Sequence, residues 1–342
     1  MAEKVTSLLV AERAGVSQSA VSRVFTPGAS VSKKTADKVR QAASELGYRP
    51  NVLARAMVSG KSRIIGLVVA YLENQFYPVA IEKLSNALQQ HGYHVLVFMA
   101  AETIENIDSV MDEILDYQVD GIVIASVAMS SDIASRCDAA GVPVVLFNRS
   151  QDIDGITSVT SDNYAGGRKV AEFLLAGGHR KIGYIAGWEG ASTQRDREAG
   201  FLSALKEADR RLAAREVGDF QTEQARNAAR RMFDVPEDQR PDAVFVANDH
   251  MAIAVMDVIR FELGLDIPGD VSVVGYDDVP PASWLAYNLT TIRQRANLMV
   301  EETVEALRAH IENPQEAETK RVAIDGPLIV RGSARLPEGW DG

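Results

Sequence analysis

Gln18, Ser19, Ser22 and Arg23 fall within six consecutive residues, and their side chains are of the kinds that read or hold nucleic acid. An Arg fork matches the acceptor edge of guanine, a Gln amide matches adenine, and a Ser hydroxyl is permissive. They sit in the run Val10-Ala11-Glu12-Arg13-Ala14-Gly15-Val16-Ser17-Gln18-Ser19-Ala20-Val21-Ser22-Arg23-Val24. Gly15 supplies the positive φ of a tight turn, and Ser17 can cap the helix that follows. The run therefore predicts a helix-turn-helix, whose second helix lays its N-terminal polar side chains in the major groove of DNA.

The elements that would position these groups are legible nearby. Thr6 and Ser32 can cap two further helices, the second with Ala36, Val39, Ala42, Ala43 and Leu46 on its apolar face. Gly47 ends that helix and Pro50 forbids its continuation. The segment is also basic. Residues 1–63 hold 11 Lys/Arg against 4 Asp/Glu, whereas the whole 342-residue chain has a formal charge of -11. A basic end on an acidic body predicts that only the end touches phosphate. A solvated basic face would give the same count, but the helix-turn-helix falls in the same segment.

A different rhythm begins at Ile64. Apolar runs of strand length (64–70, 95–99, 121–125, 142–147, 181–186, 243–247 and 271–276) alternate with amphipathic helical stretches (79–91, 107–117, 166–176, 195–208 and 221–233). Buried runs separated by helices predict parallel sheets built from βαβ units. The alternation occurs twice, over roughly 64–160 and 162–288. A strand at 289–292, a helix at 296–311 and a strand near 327–330 then form a tail able to cross between two lobes. A hinged cleft between lobes is a common place for a small ligand.

Other chemistries find little support. His91, His94, His179, His250 and His310 are scattered without His-Glu-x-x-His spacing, and Cys137 is the single cysteine, so neither a zinc cluster nor an intrachain disulfide is expected. There is no Gly-x-x-x-x-Gly-Lys-Ser/Thr loop and no Gly-x-Ser-x-Gly elbow, and Gly187-Trp188-Glu189-Gly190 lacks the spacing of a dinucleotide fingerprint. No catalytic residue, metal or cofactor is called for. No run approaches a membrane span and no leader is visible, so a cytoplasmic protein is expected.

The chain resembles the lactose-repressor (LacI/GalR) family of bacterial transcription regulators over nearly its whole length. The resemblance rests on Val10-Ala11, Ala14-Gly15-Val16-Ser17, Val21-Ser22-Arg23-Val24, Val31-Ser32 and Leu46-Gly47-Tyr48-Arg49-Pro50-Asn51 at the start of the chain. In the body it rests on Ile65-Gly66, Asp162-Asn163, Gly166-Gly167, Gly178-His179-Arg180-Lys181-Ile182, Asn248-Asp249, Val274-Gly275-Tyr276-Asp277-Asp278 and Leu289-Thr290-Thr291-Ile292. It implies an all-α helix-turn-helix headpiece (residues 1–50), a hinge helix (51–60) and an α/β two-lobed core of parallel sheets (61–342), like that of type I periplasmic binding proteins. The lobes would comprise about 61–161 with 293–320, and about 162–289 with 321–340.

The resemblance also implies roles. Gln18, Ser19 and Arg23 would read bases, while Ser17 and Ser22 suit phosphate, which positions without specifying. The segment from Asn51 to Ser59 would become a hinge helix in the minor groove of operator DNA. There Ala54 would let two such helices approach, Arg55 would meet phosphate, and Met57 would wedge between base steps. Ala20 and Leu9 stand where the family often has Thr and Asp, and nothing in the sequence explains the second change. In the cleft, Arg197, Asn248, Asp277 and Asn148 would hold the effector, a sugar or sugar derivative; Phe76 and Phe220 would either stack on it or pack in the core. Asp162 and Asp249 would cap helices or fix loops. The expected protein is a homodimeric repressor of a near-palindromic operator, and its C-terminal sequence without heptads argues against a coiled-coil tetramer. A sugar-binding transport protein of the same core is disfavoured by the basic headpiece. An α/β enzyme is disfavoured by the missing nucleophile and phosphate loop.

Overall fold

A computed structural model of the chain describes residues 5–26, 29–49, 61–100, 104–126, 130–151 and 155–339. They form two units, residues 1–63 and 64–342.

The first unit has three helices, α1 (Ser7–Ala14), α2 (Gln18–Val24) and α3 (Lys33–Leu46). Each begins at a hydroxyl that accepts a backbone N–H three residues on: Thr6 from Leu9, Ser17 from Ala20 and Ser32 from Thr35. Such caps contribute about 0.5–2 kcal/mol apiece. Gly15 ends α1 with φ +65° and Gly47 ends α3 with φ +68°, both left-handed values that a Cβ disfavours. The small core comprises Val10, Ala11, Ala14, Val21, Val39, Ala42 and Ala43.

The second unit contains two six-stranded sheets. The elements of the first lobe are β1 (Ile64–Val69), α4 (Phe76–Gln90), β2 (His94–Met99), α5 (Ile104–Asp116), β3 (Gly121–Ala125), α6 (Ser131–Ala139), β4 (Val144–Phe147) and β5 (Thr157–Ser161). Those of the second are α7 (Asn163–Ala176), β6 (Ile182–Ala186), α8 (Ser192–Glu207), β7 (Ala214–Val217), α9 (Thr222–Phe233), β8 (Ala243–Val246), α10 (Asp249–Asp257), β9 (Ser272–Asp277) and β10 (Thr290–Arg293). The tail adds α11 (Ala296–Glu312), β11 (Arg321–Ile324) and β12 (Leu328–Ile329). The sheet orders are β11-β5-β4-β3-β1-β2 and β12-β10-β9-β8-β6-β7, parallel throughout except where β12 runs against β10. β1, β3, β6, β8 and β9 are buried along their whole length. Helices cover both faces, which is why these strands read as unbroken apolar runs.

Three passages join the lobes: β5 into α7, β10 into α11, and β11 into β12. Here the expected lobe boundary is corrected. Arg321–Ile324 belongs to the first sheet, with Val322 opposite Val159 in parallel register, so the second lobe regains the chain only after it. This strand is a half-exposed edge of only four residues, too short to stand out as a buried run. Helix α11 returns to the first lobe, where a Cβ on Gly121 would come within 2.9 Å of Leu307.

The second lobe is organised by close backbone contacts between α7 and α8. A Cβ on Gly167 would lie 2.0 Å from the Arg197 carbonyl, and one on Gly200 would lie 2.0 Å from the Tyr164 carbonyl. Only glycine permits that approach, which fixes α8 and with it Arg197. Asp162 caps α7 by accepting from the Ala165 N–H. The Gly178-His179-Arg180 turn is held by Asp242, which accepts from the backbones of Arg180 and Lys181.

Candidate DNA-reading helix and effector cleft

On α2, Ser17, Gln18, Ser19, Ser22 and Arg23 are all exposed, while Val21 faces the core. The spacing 18, 19, 22, 23 puts four polar side chains on one face of a helix. Gln18 Nε2 donates to Ser7 Oγ at 2.9 Å, and the Ser17 and Ser19 hydroxyls share a hydrogen bond of 2.9 Å. Both contacts pre-set the rotamers of a contact surface. Arg13 is bound to Glu45 across α1 and α3, which keeps that cation apart from the α2 face. Asn51, Ala54, Arg55 and Met57 lie outside the described residues.

In the second unit, the predicted cleft residues come together at the carboxyl ends of the strands, where open α/β sheets bind ligands. Asn148 and Arg149 follow β4, Trp188 follows β6, Phe220 follows β7, Asn248 follows β8, Asp277 ends β9 and Gln294 follows β10. Several of these residues have unusual backbones. φ is +57° at Asn148, +57° at Phe220 and +124° at Asp277. Non-glycine residues take such values at a cost of about 1–3 kcal/mol, and they cluster where side chains must be aimed.

Asp277 is the hub. It accepts from Gln294 Nε2 at 2.6 Å and, across the cleft, from Asn74 Nδ2 at 3.0 Å, and Arg197 lies 3.4 Å away. Arg197 is itself fully engaged. Its Nε donates to Asn163 Oδ1 at 2.8 Å, another donor reaches the Ala247 carbonyl at 2.6 Å, and the guanidinium lies 3.6 Å from the centre of the Tyr276 ring. Burial raises the Asp277 carboxyl above the usual carboxylate range despite the opposing pull of Arg197. Asp249 is pushed up to about 7, first by burial and then by Asp277. Its oxygens accept from Thr291 Oγ1 and the Val279 N–H, so it pins the loop after β9, a loop-fixing role.

The remaining predicted residues are placed as follows. Asn248 caps α10, its Oδ1 accepting from the Met251 N–H at 2.9 Å, so only its amide N–H₂ group is left for a ligand. Asn148 Nδ2 reaches Tyr77 Oη at 3.4 Å and its Oδ1 is unpartnered. Phe76 is buried, stacked on Phe147 with centroids 6.2 Å apart, and also borders a cavity of about 550 Å³ that Asp277, Asp278 and Gln294 help to line. Phe220 is buried against Gly187 and faces Arg149.

Sequence reasoning missed Asn74, Arg149, Trp188, Tyr276 and Gln294. Position was the available signal, because each but Tyr276 lies just beyond an apolar run, at a strand's carboxyl end. Tyr276 lies inside one, and only its contact with Arg197 marks it. Among the described residues the lobes also touch where Ser150 N–H donates to Ser192 Oγ at 3.0 Å, where Tyr276 Oη donates to Ser161 Oγ at 3.4 Å, where Arg149 lies over the Trp188 and Phe220 rings, and where Glu73 approaches His250 at 4.0 Å.

Comparison with known proteins gives a consistent result. The profile of bacterial regulatory proteins of the lacI family matches residues 10–51, and that of the periplasmic binding protein-like domain matches residues 171–334. The HTH-type transcriptional repressor PurR of Pectobacterium carotovorum subsp. carotovorum (strain PC1) is 32% identical over 330 residues, covering 95% of each chain. The HTH-type transcriptional regulator CelR of Thermobifida fusca is 32% identical over 336 residues, covering 95% of this chain and 97% of that one. Among solved structures, the lac repressor dimer bound to operator and the anti-inducer ONPF superposes with a TM-score of 0.86 at 30% identity, covering 97% of this chain and 99% of that one. The complex of transcriptional regulator CelR with cellobiose superposes with a TM-score of 0.72 at 29% identity, covering 96% and 100%.

Proposed function

The chain belongs to the lacI family of bacterial regulatory proteins, and from that premise we infer that it is a sequence-specific transcriptional repressor controlled by a small molecule bound between its core lobes. The observation that carries this reading is the exposed face of α2, with Gln18, Ser19, Ser22 and Arg23 on a capped, glycine-turned helix pair. Gln18, Ser19 and Arg23 read base edges, Ser17 and Ser22 bind phosphate, and Asn51, Ala54, Arg55 and Met57 supply the minor-groove element. The site of action is the cytoplasm, where operator DNA lies.

The working form is a homodimer, as in the lac repressor structure, so that two headpieces meet the half-sites of a near-palindrome. The second lobe carries an apolar surface suited to self-association. Leu285 is 97% exposed, Phe261 80% and Trp284 56%, and Arg260 bonds the Ala286 carbonyl to hold the two segments together. In the cleft, Arg197 and Asp277 form the polar floor, Asn148 and Asn248 add amide groups, and Phe76 and Phe220 add apolar walls. The effector is a sugar or sugar derivative. It changes operator affinity only through its differential affinity for the open and closed lobes, typically about 1–3 kcal/mol.

The test is selection of binding sites from random duplex DNA, followed by titration of the selected site across salt. A near-palindromic site whose affinity falls steeply with salt supports the reading. Absence of any enriched site, or affinity indifferent to salt, overturns it.

A further inference from the structure

Arg149 is 5% exposed, and its Nε and one terminal nitrogen have no hydrogen-bond partner. Among the described residues no carboxylate forms an ion pair with it. Its guanidinium lies 5.7 Å from the centre of the Trp188 ring and 5.9 Å from that of Phe220, so two aromatic residues of the opposite lobe flank a fork whose in-plane donors are unused. An arginine cannot shed its proton, and a buried cation without a counter-charge is strongly disfavoured. The other cation of the cleft does not share this condition, because Arg197 spends its donors on Asn163, Ala247 and Asp277.

We propose that the effector is anionic, and that Arg149 takes its negative group in a two-pronged hydrogen bond. This rests on the effector reading above. A neutral hydroxyl could satisfy one donor but would leave the charge uncompensated, whereas a carboxylate or a phosphate matches the fork and cancels it. The cavity that Phe76, Asp277 and Gln294 help to line, which Arg149 does not border, has the same bias: Lys83, Arg293, Arg295 and Arg331 line it with Asp277 and Asp278. Asp277 already receives hydrogen bonds from both lobes, and Asp278 is clamped by Arg293 and Arg331, so neither carboxylate is spare to balance a further cation. Asn148 and Gln294 each present an unpartnered amide oxygen, an acceptor for hydroxyl donors. A ligand with one anionic group and several hydroxyls, an acidic sugar, satisfies this set.

The experiment is calorimetric titration of the full chain with glucuronate, galacturonate, gluconate and glucose 6-phosphate, set against glucose and galactose. At least one acidic member should bind roughly 10–100-fold tighter than its neutral counterpart, as expected for charge-assisted hydrogen bonds. The carboxylate and phosphate arms tell the two anion sources apart. Arg149→Leu should abolish that preference and raise the melting temperature of the ligand-free protein, and Arg149→Lys should restore part of the binding. If neutral sugars bind and acidic ones do not, or if Arg149→Leu binds the acid unchanged, the anion proposal falls and the effector reading stands. Silence of both sets would overturn both.

Discussion

Asn74 and Asp277 are 203 residues apart, yet Asn74 Nδ2 donates to Asp277 Oδ2 at 3.0 Å and so joins the two lobes through one hydrogen bond. Both side chains are buried, and Asn74 also accepts from the Phe76 N–H, which ties the latch to the start of α4. Asn74→Ala should leave Asp277 short of a donor and shift the lobes toward the open form. Ligand affinity should fall by about 10–150-fold, the worth of one hydrogen bond to a charged group. Small-angle scattering should report a larger radius of gyration, and an unchanged radius with unchanged affinity would remove the latch role.

Arg197→Met tests the floor of the cleft. The substitution strands a buried carboxylate, for which about 3–5 kcal/mol of stability is expected to be lost. Adding Asp277→Asn should recover a substantial part of that loss, because the stranded charge is gone. Urea unfolding of the two single variants and the double variant measures the coupling, and strict additivity would show that the two groups do not interact.

The Asp249 carboxyl predicts a pH dependence. Its value of about 7 lies above the ordinary aspartate value, so the folded chain keeps a proton that the unfolded chain releases. Between about pH 4 and 7 the folded state binds more protons, so this group's contribution to stability declines as pH rises and levels off above about 7. The decline is on the order of 2–4 kcal/mol at about 1.4 kcal/mol per unit. Asp249→Asn should flatten it, with its amide donating to Thr291 Oγ1 and its oxygen accepting from Val279. Unfolding curves at pH 5 and pH 8 that shift equally in both proteins would refute the assignment.

Arg23→Ala should erode operator preference more than general DNA binding, by about 1–3 kcal/mol at one base pair of each half-site. Equal loss on all sequences, measured by fluorescence anisotropy, would make Arg23 a phosphate contact instead.

Leu285→Asp combined with Phe261→Asp should convert the dimer to a monomer in sedimentation velocity while leaving ligand binding in the cleft within about twofold, since rim contacts do not reach the strand ends. Operator binding should weaken steeply, because two half-sites are no longer held by one particle. A dimer that survives both charges would place the interface elsewhere.

Much of this architecture was visible in the residues because the parallel strands are buried on both faces and the caps are hydroxyls at the right offsets. The first-unit helices, the strands around 64–69, 121–125 and 182–186, and the helix at 296–312 follow from those signals. Three strands escaped for physical reasons: Thr157–Ser161 is polar, and Ala214–Val217 and Arg321–Ile324 are short half-exposed edges, whereas the two-residue strand Leu328–Ile329 falls inside the run expected near 327–330. Helix α10 was missed because Asp249–Asp257 is buried almost all round and shows no amphipathic period. At the cleft, Asp277 and Arg197 were found from their motifs. Arg149 and Gln294 were not, because their meaning depends on what the opposite lobe or the next strand does not offer them.

The late arrival of β11 has a consequence for biosynthesis. The first sheet has its other five strands by residue 161 but receives β11 only when residues 321–324 emerge. At ribosomal speeds of about 5–20 residues per second, that edge stays open for roughly 8–30 s while all of the second lobe but β12 is made. Throughout that interval β5 exposes an unpaired backbone edge, a template to which a neighbouring nascent chain can add a strand. The polar make-up of Thr157-Ser158-Val159-Thr160-Ser161, which hid this strand from a reading of hydrophobic runs, makes the open edge a poor seed for aggregation.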